Sequence, residues 1–172
     1  MTVAIPEVSR EQLDKYGGPA PRYTSYPTAL DWRDDVRPTA YPGMLHLATR
    51  FDDPLSLYVH IPFCERRCLF CGCNVAVTRD RSRGDVFMSG IERELETLRQ
   101  SGIGRRPLSQ VHWGGGTPTW LTEGQTVRLH DAIRATFGIV QGAEVAIEVD
   151  PRVTTGERVR LLAGLGFDRI SM

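Results

Sequence analysis

Residues 55–73 read LSLYVHIPFCERRCLFCGC, and two patterns inside this stretch decide the architecture. Leu55, Leu57, Val59 and Ile61 alternate with Ser56, Tyr58 and His60, the period-2 signature of a strand with one apolar and one polar face. Directly after it, Cys64, Cys68 and Cys71 stand at C-x3-C-x2-C spacing, with Cys73 two positions further on. All 4 cysteines of the chain lie here, so no disulfide framework spreads along it. Thiols crowded in this way point to a metal and to a reducing compartment, the cytoplasm. Three thiolates on one short loop can hold three irons of a [4Fe–4S] cube and leave the fourth open to an external ligand. An ordinary ferredoxin closes its cluster with a fourth cysteine, and Cys73 offers such a thiol. A structural zinc is the other reading, although zinc sites pair two cysteine hairpins and no second pair follows here.

Working outward, the alternation recurs at Gln110–Trp113 and Val145–Val149, and Phe167–Met172 opens a fourth strand. Helical spacing fills the intervals. Phe87, Ile91, Leu95 and Leu98 form a stripe within Asp85–Arg99. Leu129, Ile133 and Phe137 follow a Thr122/Gln125 capping box, with Gly138 as the stop. Val159, Leu162 and Leu165 follow Thr154/Glu157 and end at Gly166. Three strand–helix units and an opening strand predict an α/β fold, with a parallel sheet and right-handed crossovers. A barrel and an open doubly wound sheet both satisfy this pattern.

Residues 1–52 carry prolines at 6, 19, 21, 27, 38 and 42 and no long amphipathic period. They read as an extended N-terminal arm wrapping the domain of residues 53–172, with a short helix around Pro42–Arg50. Tyr16, Tyr23, Tyr26, Trp32 and Tyr41 argue against a disordered tail, since such tails are poor in aromatics. The chain of 172 residues stops inside a strand, whereas a βα barrel takes about 250. The expectation is the N-terminal piece of a longer protein, catalytically inactive by itself.

Charge excludes some partners. Lys+Arg and Asp+Glu both number 21, so no global field draws nucleic acid or an anionic membrane. No stretch reaches the roughly 20 apolar residues of a membrane helix, and the first ten residues lack the apolar core of a secretory signal. The run Arg79–Arg83 reads as a solvated approach to a helix. Gly114-Gly-Gly-Thr-Pro118 ends the second strand, as a tight turn or as backbone that a ligand approaches closely. Glu148 alternates away from Ile147 and Val149 near the end of its strand, where a carboxylate binds ligand hydroxyls or pairs with Arg152. His60 and His112 read as structurally satisfied strand histidines.

The run Tyr58–Cys73, YVHIPFC-x3-C-x2-C-x-C, resembles the radical S-adenosylmethionine (SAM) superfamily. Gly72-Cys73-Asn74 and the upstream Pro21–Thr28, PRYTSYPT, are similar to the oxygen-independent coproporphyrinogen III oxidase family within it. The resemblance runs from about residue 19 to the end. It implies a partial TIM-like barrel, of which residues 53–172 supply the first four strands, and a [4Fe–4S] cluster on Cys64, Cys68 and Cys71. It implies Tyr58, Gly115 and Glu148 as contacts of the SAM on the cluster, with Glu148 on the ribose. Phe70, Gly116 and Thr117 are implied for a second SAM. Asp150 and Pro151 match the motif without an assigned role. The implied reaction is oxidative decarboxylation of coproporphyrinogen III to protoporphyrinogen IX in haem biosynthesis. It needs an unidentified electron donor and no side-chain acid or base. The protein is expected to be a monomer without nucleic-acid or membrane partners, with Arg22 on a substrate carboxylate. A related haem chaperone is the rival reading, from which Cys73 and the PRYTSYPT arm set this chain apart.

Overall fold

A computed structural model of the protein describes residues 8–18, 28–31, 33 and 37–172, and the chain divides into two units, Met1–Pro38 and Thr39–Met172. In the first unit, the Ser9 hydroxyl accepts from the Gln12 amide (3.1 Å) and the Gln12 side chain accepts from the Ser9 amide (2.8 Å). This capping box starts α1 (Arg10–Tyr16), a helix the proline-based reading of an extended arm passes over. Arg22, Tyr23, Tyr26, Trp32 and the motif from Pro21 to Pro27 lie outside the described residues.

The second unit runs α2 (Tyr41–Ala48), β1 (Leu55–Ile61), β2 (Phe63–Cys64), β3 (Ala76–Val77), α3 (Ser82–Ser101), β4 (Leu108–Gly115), α4 (Glu123–Thr136), β5 (Ile139–Glu148), α5 (Gly156–Gly164) and β6 (Arg169–Ser171). Strands β1, β4, β5 and β6 form one parallel sheet in that order. Every new strand joins the same edge, so the order never reverses. A doubly wound sheet has a reversal point where its ligand binds; winding in one direction is the barrel's way. Strands β2 and β3 make a separate parallel pair that brackets the cysteine loop.

The apolar face of the sheet is the core. Val59, Ile61, Val111, Trp113, Val145 and Ile147 bury against Met88 and Leu95 of α3, Leu129 and Ile133 of α4 and Leu162 of α5. Removal of this area from water is the main driving force for the fold. The expected capping box of α4 is present in both directions, Thr122 hydroxyl to Gln125 amide and Gln125 side chain to Thr122 amide. Thr122→Ala is expected to cost about 1 kcal/mol in a urea unfolding titration, with an unchanged m-value.

Four local expectations need correction. Thr155, not Thr154, caps α5: its hydroxyl accepts from the Arg158 amide (3.2 Å), while the Thr154 hydroxyl donates to the Asp150 carbonyl (2.8 Å). The helix is thereby rotated, so Val159 is 39% exposed and Arg158 is buried, donating to the Leu121 carbonyl and the Thr126 hydroxyl. Helix α4 stops because Phe137 turns extended (φ −127°, ψ 140°), without a left-handed glycine at 138. Within the run Arg79–Arg83, Arg81 is held by Glu65 and the Trp120 carbonyl, with its guanidinium 4.6 Å from the Trp120 ring.

The opposite face of the sheet is polar and layered. Paired residues of parallel strands share a face, so the register sets Ser56, Gln110 and Glu144 side by side, while Arg169, paired with Ala146 one layer on, reaches back diagonally to Glu144. A chain of contacts joins them: Ser56 to Gln110 (3.1 Å), Gln110 to Glu144 (3.3 Å) and Arg169 to Glu144 (2.9 Å). One layer nearer the C-terminal strand ends, Tyr58 faces His112. The next layer holds His60, Gly114, Glu148 and Ser171.

Candidate functional site

Functional groups in βα folds gather at the C-terminal ends of the strands, and here the chain builds that end with backbone. Pairing continues past the sheet: the Gly116 amide donates to the Ile61 carbonyl (2.9 Å) and the Thr117 amide to the Phe63 carbonyl (2.8 Å). On the other side, the Ala76 amide donates to Pro62 (2.6 Å) and the Thr78 amide to Cys64 (2.9 Å). The root of the cysteine loop is thus fixed between the glycine segment and β3. The Thr117 hydroxyl donates to Cys64 Sγ (3.4 Å), linking two residues expected at different cofactor contacts. His60 keeps the structural role expected of it, its Nε2 lying 2.9 Å from the Asn74 carbonyl where the loop returns.

Two of the glycines are explained by close approach. Gly115 has φ +106°, and a Cβ there would meet the His60 imidazole at 2.6 Å. At Gly114 a Cβ would meet the Glu148 carboxylate at 2.8 Å, so the absent side chain makes room for that acid.

Glu148 is held at both oxygens. Oε1 lies 3.2 Å from His112 Nε2, and Oε2 accepts from the Gly115 amide (3.1 Å). A carboxylate has about four acceptor directions, so each oxygen keeps one for a further donor. The alternative pairing with Arg152 does not occur, because Arg152 pairs with Asp150 (2.7 Å) and its hydrogen bonds hold the Asp150 carboxyl below the usual range. Tyr58 stacks on His112 with ring centroids 5.7 Å apart at 11°. Desolvation, then the charges of Glu148 and Cys73, push the Tyr58 phenol above its ordinary value, so it stays a protonated donor at neutral pH.

An open cleft of about 470 Å³ is lined by Cys68, Gly116, Thr117, Glu148, Arg152 and Ser171 among others. Most of the expected site residues therefore meet. Cys68, Gly116, Thr117 and Glu148 line one cleft, Gly115 and Tyr58 adjoin it through Glu148 and His112, and Cys64 adjoins it through Thr117. Phe70 stands apart, 99% exposed beside the equally exposed Leu69. The thiols themselves are spread: Cys64 is buried, Cys71 half-buried, Cys68 and Cys73 exposed. Among the described residues no three His, Cys, Asp or Glu side chains are placed to hold a metal ion. The donor set nonetheless fits a thiolate-bound cluster, with three soft ligands on one loop that is pinned at its root and opens on the cleft. His112 is the contact that sequence reading misses, because its signal is a cross-strand register with Tyr58 and appears only once the strands are paired.

Residues 58–172 match the radical SAM superfamily. Over 173 residues the chain is 43% identical to oxygen-independent coproporphyrinogen III oxidase of Salmonella typhimurium, covering 96% of this chain and 37% of that protein. The protein of the same name from Mannheimia haemolytica is 44% identical, covering 81% of this chain and 93% of that sequence. Coproporphyrinogen III oxidase from Escherichia coli, described as a radical SAM enzyme, matches in structure with a TM-score of 0.79 and 43% identity, over 93% of this chain and 35% of that one. The chain spans little more than a third of the length of most of these curated relatives. Among the described residues no helix is long and apolar enough to cross a membrane. With a parallel sheet wound in one direction and a cysteine loop rooted at its C-terminal end, the chain belongs to the radical SAM superfamily and, within it, to the family of the oxygen-independent coproporphyrinogen III oxidases.

Proposed function

We propose that this chain provides the cluster and SAM sites of an enzyme converting coproporphyrinogen III to protoporphyrinogen IX without oxygen, by oxidative decarboxylation of two propionates to vinyl groups. The relatives named for that oxidase support the reaction, and the Glu148 carboxylate carries the site: two fixed donors, and two acceptor directions left at a cleft shared with Cys68. A carboxylate so held suits the vicinal hydroxyls of a ribose. A [4Fe–4S] cluster and SAM bound here would supply the radical chemistry that the decarboxylation needs, with SAM consumed as the two-electron oxidant for each propionate.

The chain's own residues bind and orient. Thiolates of Cys64, Cys68 and Cys71 hold three irons and leave one for SAM. Gly115 brings backbone to the SAM amino group, Glu148 takes the ribose, and Tyr58 flanks the same ligand. Gly116, Thr117 and Phe70 serve a second SAM. No side chain acts as acid or base in the radical step. The electron donor is a separate protein or reductant, and the working form is a cytoplasmic monomer that engages neither nucleic acid nor membrane.

Glu148→Gln removes a charge-assisted acceptor and is expected to weaken S-adenosylhomocysteine binding about tenfold, in keeping with roughly 1.5 kcal/mol for such a bond. Isothermal titration on the anaerobically reconstituted protein reads this directly. The reaction itself is tested by incubating protein of the relatives' full length with coproporphyrinogen III, SAM and a low-potential reductant. Release of carbon dioxide and appearance of protoporphyrinogen are expected, and none from residues 1–172 alone. Stable haem binding without turnover would overturn the proposal in favour of a haem carrier.

A further inference from the structure

We infer that His112 is a positioning residue for the adenosine-binding carboxylate: its Nε2–H fixes the Glu148 side chain in the orientation that receives a ribose. This rests on the assignment of Glu148 to that ribose.

A carboxylate at neutral pH only accepts, so the contact of 3.2 Å between His112 Nε2 and Glu148 Oε1 assigns the proton to Nε2. The Gly115 amide, 3.1 Å from Oε2, is the second anchor. A glutamate has three side-chain torsions, and with one anchor it would pivot about that point. Two donors from the same neighbouring strand, one on each oxygen, remove the pivot. His112 is itself immobilised. Its partner across β1 and β4 is Tyr58, and the two rings stack nearly parallel, 5.7 Å between centroids and 11° between planes. The imidazole therefore cannot turn away without losing that face contact. Gly114 completes the arrangement by leaving the volume that the carboxylate occupies, where a Cβ would come within 2.8 Å. Ordered from the sheet outward, Tyr58 sets the ring, the ring sets the carboxylate, and the carboxylate meets the ligand.

Two variants separate the proton from the ring. His112→Phe keeps a flat ring against Tyr58 and has no donor, whereas His112→Gln gives up the stack and keeps an N–H of similar reach. S-adenosylhomocysteine binding is measured by titration calorimetry on the reconstituted protein, for both variants, for Glu148→Gln and for His112→Phe combined with Glu148→Gln. Thermal melts accompany each to show that it is folded. The expected result is a loss of about tenfold in His112→Phe, recovery to within about threefold of the parent in His112→Gln, and a double variant no weaker than Glu148→Gln alone. Parent-like affinity in His112→Phe overturns the inference. So does equal loss in His112→Gln and His112→Phe, which would leave only packing, and so do losses that multiply in the double variant. Parent-like affinity in Glu148→Gln is a different result: it removes the ribose assignment and with it this role of His112.

Discussion

Cys64→Ala, Cys68→Ala and Cys71→Ala variants are expected to stay colourless after anaerobic treatment with iron and sulfide, with bound iron at background, whereas Cys73→Ala turns brown like the parent. The reason is ligand count. Three thiolates hold three irons, and loss of any one leaves a two-point attachment that solvent and free thiols displace. Cys73 lies outside the C-x3-C-x2-C spacing on which the cluster assignment rests, and its thiol is exposed. Iron and sulfide analysis with visible absorption decides the matter. A colourless Cys73→Ala, or a brown variant among the other three, would contradict the assignment, and a colourless parent that takes up zinc would replace the cluster by the simpler metal.

Trp120→Ala is expected to lower the unfolding free energy by about 3–5 kcal/mol, well beyond the loss of the Thr122 cap. Trp120 is almost fully buried and joins three segments at once. Its ring lies 4.4 Å from that of Phe63 at 30°, the Arg81 guanidinium covers it at 4.6 Å, and its Nε1–H donates to the Thr78 carbonyl (2.8 Å). Phe63 and Thr78 flank the cysteine loop on its two sides, so the same change is expected to loosen the loop. Chemical denaturation of Trp120→Ala beside Phe70→Ala gives the comparison. Phe70 is 99% exposed, and its truncation should stay within about 0.5 kcal/mol of the parent.

Much of this was legible from residue order because it depends on near neighbours. Alternation over Leu55–Ile61 fixes a strand whatever its partners are, and Thr122 with Gln125 announces a helix start through contacts three residues apart. The S-x-x-Q start of α1 is equally local, and a reading led by the prolines passes over it. What escaped depends on partners far along the chain. Arg158 sits inside and Val159 outside because Leu121 and Thr126, more than 30 residues away, offer oxygens to a guanidinium. Arg81 finds Glu65 and Trp120 for the same kind of reason. At the site, Cys64, Gly115 and Glu148 could be named from their motifs, but His112 owes its place to register, and register is a property of two strands at once.

The seam between Gly116–Thr117 and Ile61–Phe63 has a mechanical consequence. It is made of main-chain bonds that run across two aligned strands. A tug on the cysteine loop along the strand axis therefore loads them together, in shear, and does not peel them apart one by one. The glycine segment is tied to the loop by these bonds, so a displacement of the loop along the strands draws Gly116 and Thr117 with it. The two donors differ in what they tolerate: at Thr117 only proline, lacking the N–H, removes the bond, whereas at Gly116 any Cβ would meet the Phe63 carbonyl oxygen at 2.7 Å and force the seam apart.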